Sequence, residues 1–474
     1  MNVTSITVLR DEIRFTLDTA VQDRRIRVSL FSPALGEEAE LCSVSLTVSG
    51  SEFTVSRRLA GRDGAFLCCS LSDETGDIGG VRYVTQIAAS KREQPYPTAA
   101  SKKGLQVAMT DDALALGIRH AALNVNLCDF LMEAPDGGNT IFYRFDGEEY
   151  YIRKNIAEHM DRQIKPLSDA GVLVNLILLN SPAWLTAAPP RFWNTIRHPG
   201  YDEEGNISLF DVMRERGCRY YRAFVSFLAE RYTREDEAHG RIVGMIVGNE
   251  VNSQWIWANA GETPFGDYAA QYTSALRLAW QSAALIWKNI RVYASLDHFW
   301  AGSMFPEQPL RTYSGRDLLT AVAHCCALEG NFPWHVAHHP YPEDLFRPDF
   351  WNDETAPDSP DAQRVTFKNL TVLRDHLALP EMRYGGESRR VILSEQGFHS
   401  DFTPEGEALQ AEAYRRAWEI VGAIPEIDAF IYHAHRDNIE EGGLNLGLWR
   451  RKKDSGEPDA PKPIYHIFQK IDRK

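Results

Sequence analysis

From about residue 104 onward, short apolar runs rich in β-branched residues recur between amphipathic helices, and this alternation constrains the fold more than any other feature. The runs lie at 104–107, 119–127, 172–179, 241–248, 291–296, 335–339, 390–394 and 428–433. Unbroken apolar runs of about four to eight residues suit strands buried on both faces, as in parallel sheets. Between them, 220–232 sets Tyr220, Phe224, Phe227 and Leu228 on one helical face. The segment 268–287 does the same with Tyr272, Leu276, Trp280 and Trp287. Eight strands that each return through a helix are best satisfied by a closed (β/α)8 TIM barrel. An open doubly wound sheet joins the same units, but no Gly-rich phosphate loop follows any of these strands.

The N-terminal part has a period of two instead. Ile13, Phe15 and Leu17 alternate with polar residues, as do Ile26, Val28 and Leu30, then Val44, Leu46 and Val48. Turn signals such as Ser49-Gly50-Ser51 and Gly61-Arg62-Asp63-Gly64 separate them. A β-sandwich accessory domain over 1–95 and a barrel domain over 96–474 are expected, with 88–103, carrying Pro95 and Pro97, wrapping from one to the other.

Composition narrows the partners. A net charge of −14, from 51 basic against 65 acidic residues, argues against nucleic acid or an anionic membrane surface. No apolar run approaches the ~18 residues of a membrane span. Residues 1–10 lack the regions of a secretory leader, and the seven cysteines show no metal spacing. Reduced thiols in a cytoplasm are expected, or secretion if a leader has been removed. No metal and no cofactor are expected; oligomeric state is not legible.

Two segments carry the chemistry: Gly248-Asn249-Glu250-Val251-Asn252 after strand four, and Ser394-Glu395-Gln396-Gly397 after strand seven. A carboxylate directly after a buried strand costs several kcal/mol unless it emerges into a cleft. In a barrel these strands face each other across the mouth where active sites form. A pair of facing glutamates is what glycoside hydrolysis requires, one as acid and base, the other as nucleophile.

An Asn-Glu pair ending strand four and a Glu ending strand seven resemble the retaining (β/α)8 glycosidases of clan A, over roughly residues 100–474. The segments His338-His339-Pro340-Tyr341-Pro342 and Tyr432-His433-Ala434-His435-Arg436-Asp437 resemble a bacterial barrel family catalogued mainly as a domain of unknown function. The resemblance implies Glu250 as acid/base, Glu395 as nucleophile, and Asn249 as the residue binding the sugar 2-hydroxyl. It implies cleavage of an equatorial, usually β-, glycosidic bond in an oligo- or polysaccharide by double displacement. Retention needs the carboxyl groups about 5–5.5 Å apart, and repulsion between them favours a proton on Glu250. It also implies that a His or Tyr near strand six supports the nucleophile, which leaves His339 and Tyr341 as alternatives.

Other substrate contacts are expected from the strand ends: Asn124 and Asn126 on strand two, Asn180 on strand three, Asp297 and His298 on strand five, and His433 on strand eight. The loops 181–216, 251–266, 297–316 and 340–365 are long, which favours a functional mouth. They hold or adjoin Trp184, Trp193, Trp255, Trp257, Trp300, Trp334, Trp351 and Trp449, of which Trp255 and Trp257 are best placed to meet a sugar face. Trp280, Trp287 and Trp418 read as helix packing. Two features depart from the clan pattern. Strand eight ends in Tyr432-His433-Ala434-His435 where a Trp platform is usual, with Trp449 the nearest tryptophan. The Arg expected at the end of strand two is missing, since Arg119 lies at its start.

Two other classes compete. A metal-dependent hydrolase would draw on His335, His338, His339, His433, His435 and Asp437. A non-catalytic carbohydrate-binding barrel would have no use for two facing glutamates.

Overall fold

The computed structural model describes residues 1–37, 39–182, 190–453 and 455–473. Its centre is a closed barrel of eight parallel strands: β1 (Lys103–Gln106), β2 (His120–Asn126), β3 (Leu173–Leu179), β4 (Ile242–Val247), β5 (Arg291–Leu296), β6 (Trp334–His338), β7 (Val391–Leu393) and β8 (Ile427–Tyr432). All eight expected strands are present, in the expected order. The last closes on the first through Phe430↔Lys103, Ile431↔Gly104 and Tyr432↔Leu105. Helices such as Lys154–Asp169, Glu215–Tyr232 and Phe265–Ala284 return the chain between strands. Their apolar faces and the outward strand residues form one large core.

The barrel interior is a separate, smaller apolar layer that includes Ala122, Ile177, Ile246, Tyr293, Ala337, Ile392 and Ile431. Tyr293 fits inside because Gly244 faces it; a Cβ there would lie 2.8 Å from the tyrosine ring. Side chains on a strand alternate, so the residue two further on faces inward again. Two steps from that layer toward the carboxyl-terminal mouth stand Asn124, Leu179, Gly248, Ser295, His339, Ser394 and His433. Gln106 follows Gly104 in the same way on β1. The apolar plug is thus capped by a mainly polar ring, and that ring is the floor of the mouth.

The N-terminal region is sheet, as the period of two implies. Val3–Val8, Glu12–Phe31, Glu40–Ser56, Cys68–Asp73, Gly76–Arg82 and Gln86–Ile87 join in a six-stranded sheet. Glu12–Phe31 and Glu40–Ser56 form a long hairpin whose register shifts between Thr16 and Arg24. Before the shift the first strand also pairs Val3–Val8; beyond it, Cys68–Asp73. Shifts of this kind bend a strand. The sheet leans on the helices around the barrel. Arg277, almost fully buried, lies 4.4 Å from the Tyr83 ring and donates to Gly330 O at 2.6 Å. Tyr83 N donates to Glu329 O at 2.8 Å. The connecting segment lies against the barrel wall, where Tyr96 stacks on Trp287 and under the Arg291 guanidinium. Cys42, Cys68, Cys69, Cys218, Cys325 and Cys326 are free thiols. Among the described residues, no helix is long and apolar enough to cross a membrane.

Candidate active site

Past Val247 the chain turns sharply. Gly248 takes φ +78°, where a Cβ would also meet Val251 at 2.8 Å, and Glu250 takes φ +42°, ψ +49°. The left-handed region costs a non-glycine residue on the order of 1–3 kcal/mol and persists only where surroundings enforce it. Here the Glu250 backbone N–H donates to Ser295 Oγ in the floor ring at 3.0 Å. The turn delivers the Glu250 carboxylate into the mouth, with 13% of its side chain exposed.

His339, in the floor ring and 1% exposed, spans the site from one carboxylate strand to the other. Its Nδ1 lies 2.9 Å from Glu250 Oε1 and its Nε2 lies 3.0 Å from Ser394 Oγ. Burial pulls its pKa down, but the Glu250 bond and the charges of Glu395, Glu250 and Asp297 outweigh this and hold it above 6.5. Glu395, next to Ser394, is held by two neutral donors. Gln106 Nε2 donates to its Oε2 at 3.1 Å and Tyr341 O–H to its Oε1 at 3.3 Å. His339 and Tyr341 therefore divide the work: the histidine meets Glu250 and the tyrosine meets Glu395.

Gln106 passes the contact onward. Its Nε2 also donates to Ser394 O at 3.2 Å, so its Oε1 is the acceptor, and His433 Nδ1 donates to that oxygen at 2.8 Å. His433 Nε2 points at Glu441 Oε1, 3.1 Å away. Both ring nitrogens thus face acceptors, which is the pattern of an imidazolium. Burial opposes the charge; the Glu441 bond and the charges of Glu395, Glu441 and Glu250 win and raise the His433 pKa.

These groups open into a cavity of about 690 Å³. Six carboxylates line it (Glu250, Asp297, Glu343, Glu395, Glu440 and Glu441) against one guanidinium, Arg364. Asp297 is almost fully buried. It accepts from Asn252 Nδ2, Ser253 Oγ and, at 2.7 Å, Phe299 N. Burial and the Glu250 charge push its pKa up to about 7. His298 uses Nδ1 on Tyr341 O at 3.0 Å and faces Arg364 Nε with Nε2; burial lowers its pKa to about 4, so it is neutral.

Of the residues expected from sequence, Glu250, Glu395, Asn249, Asn124, Trp257, Asp297, His298, Tyr341 and His433 line this cavity, with His339 beneath. Four expected substrate contacts lie elsewhere. Asn126 is buried and bonds Asp129 and Ser181. Asn180 is one residue past inward-facing Leu179, so it points outward and donates to Ile196 O at 2.9 Å. Trp255 is buried under the Arg311 guanidinium, 3.8 Å from its ring. Trp449 donates to Asp112 Oδ2 at 2.9 Å and packs on Tyr465. Trp184 lies outside the described residues. Sequence reading missed Gln106, Glu441, Glu343 and Arg364. The double-step inward pattern from Gly104 could have found the first.

The histidines of the metal-hydrolase reading are dispersed. His335 accepts from Arg390 N, His338 faces Val365 O at 2.9 Å, and His435 faces Asp112 Oδ2 at 2.8 Å. Asp437 is paired with buried Lys462 at 2.7 Å. Among the described residues, no three His, Cys, Asp or Glu side chains come together to hold a metal ion.

The model of a family of unknown function, DUF5722, matches residues 95–474. No curated protein matches the chain. Similar solved structures include a family 39 glycoside hydrolase from Bacteroides cellulosilyticus WH2, 13% identical, TM-score 0.46, covering 98% of this chain and 80% of that one. A hyperthermophilic β-glucosidase from Pyrococcus furiosus is 13% identical, TM-score 0.47, covering 76% and 82%. A β-glucuronidase from Ruminococcus gnavus is 9% identical, TM-score 0.40, covering 99% and 67%.

Proposed function

The chain belongs to the DUF5722 family, and we propose that it is a retaining glycoside hydrolase cleaving an equatorial, β-type bond in a carbohydrate. One observation carries the reading: glutamates from opposed strand ends, Glu250 and Glu395, meet in one mouth cavity with a histidine reaching from the first to the strand of the second. Among the described residues, neither glutamate has a Lys or Arg partner. Glu250 has His339, and Glu395 has an amide and a phenol.

The roles follow from those partners. Gln106 and Tyr341 orient Glu395 and stabilise its charge without cancelling it, so a carboxylate oxygen is available to attack the anomeric carbon. As that C–O bond forms, the bond to the departing oxygen breaks, and this oxygen takes the proton held by the Glu250–His339 pair. The glycosyl–Glu395 ester removes one negative charge from a crowded acidic site. Glu250 then accepts a proton from water, which attacks the same carbon and frees Glu395. Asn249, beside Glu250 on the wall, is placed to bond a sugar hydroxyl.

The test is hydrolysis of a panel of 4-nitrophenyl β-glycosides by wild type and Glu395→Ala, with and without azide. Turnover by wild type, and a variant rescued by azide to give the glycosyl azide of inverted configuration, is the expected result. Turnover that Glu395→Ala leaves intact overturns the mechanism.

A further inference from the structure

The mouth does not end at the two glutamates. A second cavity of about 680 Å³ adjoins the first and shares Phe299, Met304 and Arg364 with it. Each volume falls in the ~300–1,000 Å³ range of small-molecule sites. The second cavity is built by the loop after β5, including Ser303 and Pro306, and by Gln363 from the loop after β6.

Its side of the barrel has chemical meaning. β5 adjoins β4, and the two loops are tied together just behind Glu250. Asp297 N donates to Asn252 Oδ1 at 3.0 Å and Asn252 Nδ2 donates to Phe299 O at 3.4 Å. Glu395 follows β7, beyond β6. In double displacement the departing oxygen faces the acid and attack comes from the nucleophile's side. The group that is cut off therefore lies toward the Glu250 side, where the second cavity opens.

We propose that this cavity is the leaving-group subsite and that it holds a sugar unit, so that the substrate is an oligosaccharide and not a glycoside of a small aglycone. The inference rests on the glycosidase reading. The lining matches a sugar's two characters. Phe265, Phe299 and Pro306 offer apolar surface to C–H faces. Among the described residues, the side chains of Ser303 and Gln363 make no hydrogen bond, and neither does Arg364 Nη2. The rest of the Arg364 guanidinium rests on neutral groups: Nη1 on Thr355 Oγ1 at 3.0 Å, Nε toward His298, and the plane 4.6 Å from the Phe299 ring. An apolar aglycone would cover these three water-facing polar groups without offering them a partner, which costs binding. A sugar's hydroxyls satisfy them.

The experiment compares each 4-nitrophenyl β-glycoside of the panel with the β-linked disaccharide of the same sugar, in wild type, Ser303→Trp and Gln363→Ala. Ser303→Trp obstructs the second cavity; Gln363→Ala removes one polar contact from an exposed position and leaves the loop intact. The expected result is a fall of about tenfold or more in the disaccharide-to-aryl ratio of kcat/KM for Ser303→Trp, carried mainly by KM, with a smaller fall for Gln363→Ala. Ratios equal to wild type in both variants, with unchanged melting curves, overturn the subsite while leaving the glycosidase reading standing. Turnover of neither substrate class by wild type overturns both.

Discussion

Replacing His339 with alanine separates what this residue does for the fold from what it does for Glu250. The side chain is 1% exposed and makes two hydrogen bonds, one to a carboxylate at 2.9 Å and one to a hydroxyl at 3.0 Å. A buried bond to a charged group contributes ~1.5–3 kcal/mol and a neutral one ~1 kcal/mol, so the loss is ~2.5–4 kcal/mol before any cavity cost. At ~2.1 cal/mol/K per residue, the unfolding entropy of 474 residues is ~1 kcal/mol/K, and Tm falls by ~2.5–4 °C. The pH dependence has a fixed sign. The folded pKa of His339 lies above its ordinary 6.5, so the folded state binds the proton more tightly than the unfolded chain. That contribution is complete below pH ~6.5 and disappears as pH rises through the folded value. Wild type and His339→Ala are therefore melted at about pH 5.5 and about pH 8.5, with the larger gap expected at the lower pH. Equal gaps, or a larger one at high pH, would refute a protonated His339 bonded to Glu250. In catalysis the same variant should lose most on substrates whose leaving group needs a proton, and least on 4-nitrophenyl glycosides.

Tyr341→Phe removes one of the two donors to Glu395. At 3.3 Å this bond belongs at the weak end of the charge-assisted range, ~1.5 kcal/mol, so kcat/KM on aryl glycosides should fall about tenfold with little change in Tm. Asp297→Asn should be tolerated, because two of its three donors can share the amide oxygen and Ser253 Oγ can turn to accept. With the Asp297 pKa raised to about 7, ionisation destabilises wild type as pH climbs from ~4 to ~7. The asparagine variant should gain Tm relative to wild type over that interval, and a constant difference counts against the assignment. Lys462→Met strands the buried Asp437 charge, at ~3–5 kcal/mol and a Tm drop of ~3–5 °C. Adding Asp437→Leu should restore most of it; a double variant no better than the single would show that the pair is not the cause.

The barrel was legible because its strands are buried and mostly apolar, with Ile242–Val247 and Val391–Leu393 as unbroken runs. Glu250 and Glu395 were legible because a charge directly after such a run has nowhere to go but the mouth. The ring around them was less so. β1 is only Lys-Gly-Leu-Gln, with no run to mark Gln106 as a strand end. Glu441 sits in Asn438-Ile439-Glu440-Glu441-Gly442-Gly443, which reads as a solvated loop. Asn180 was misread by one position, the step that reverses a side chain in a strand. Trp255 and Trp449 were misread because nearness to the mouth in sequence does not tell a sugar-facing ring from one packed under Arg311 or bonded to Asp112.

The position where strand eight departs from the clan pattern takes on a different role once the ring is assembled. His433, its pKa raised, stands two hydrogen bonds from Glu395: His433 to Gln106, then Gln106 to Glu395. Had a Lys or Arg met Glu395 directly, the carboxylate would be stabilised by an ion pair that attack on the sugar must break. The neutral amide transmits orientation instead. Gln106 cannot turn over, because its oxygen is fixed by an N–H of His433 and its nitrogen by Ser394 O and Glu395. Glu441 holds the far nitrogen and favours the charge that keeps both imidazole N–H groups donating. An aromatic platform would add apolar surface at this point. The histidine adds a hydrogen-bond sense, so the floor of this mouth relies on polar order for what a tryptophan would supply by stacking.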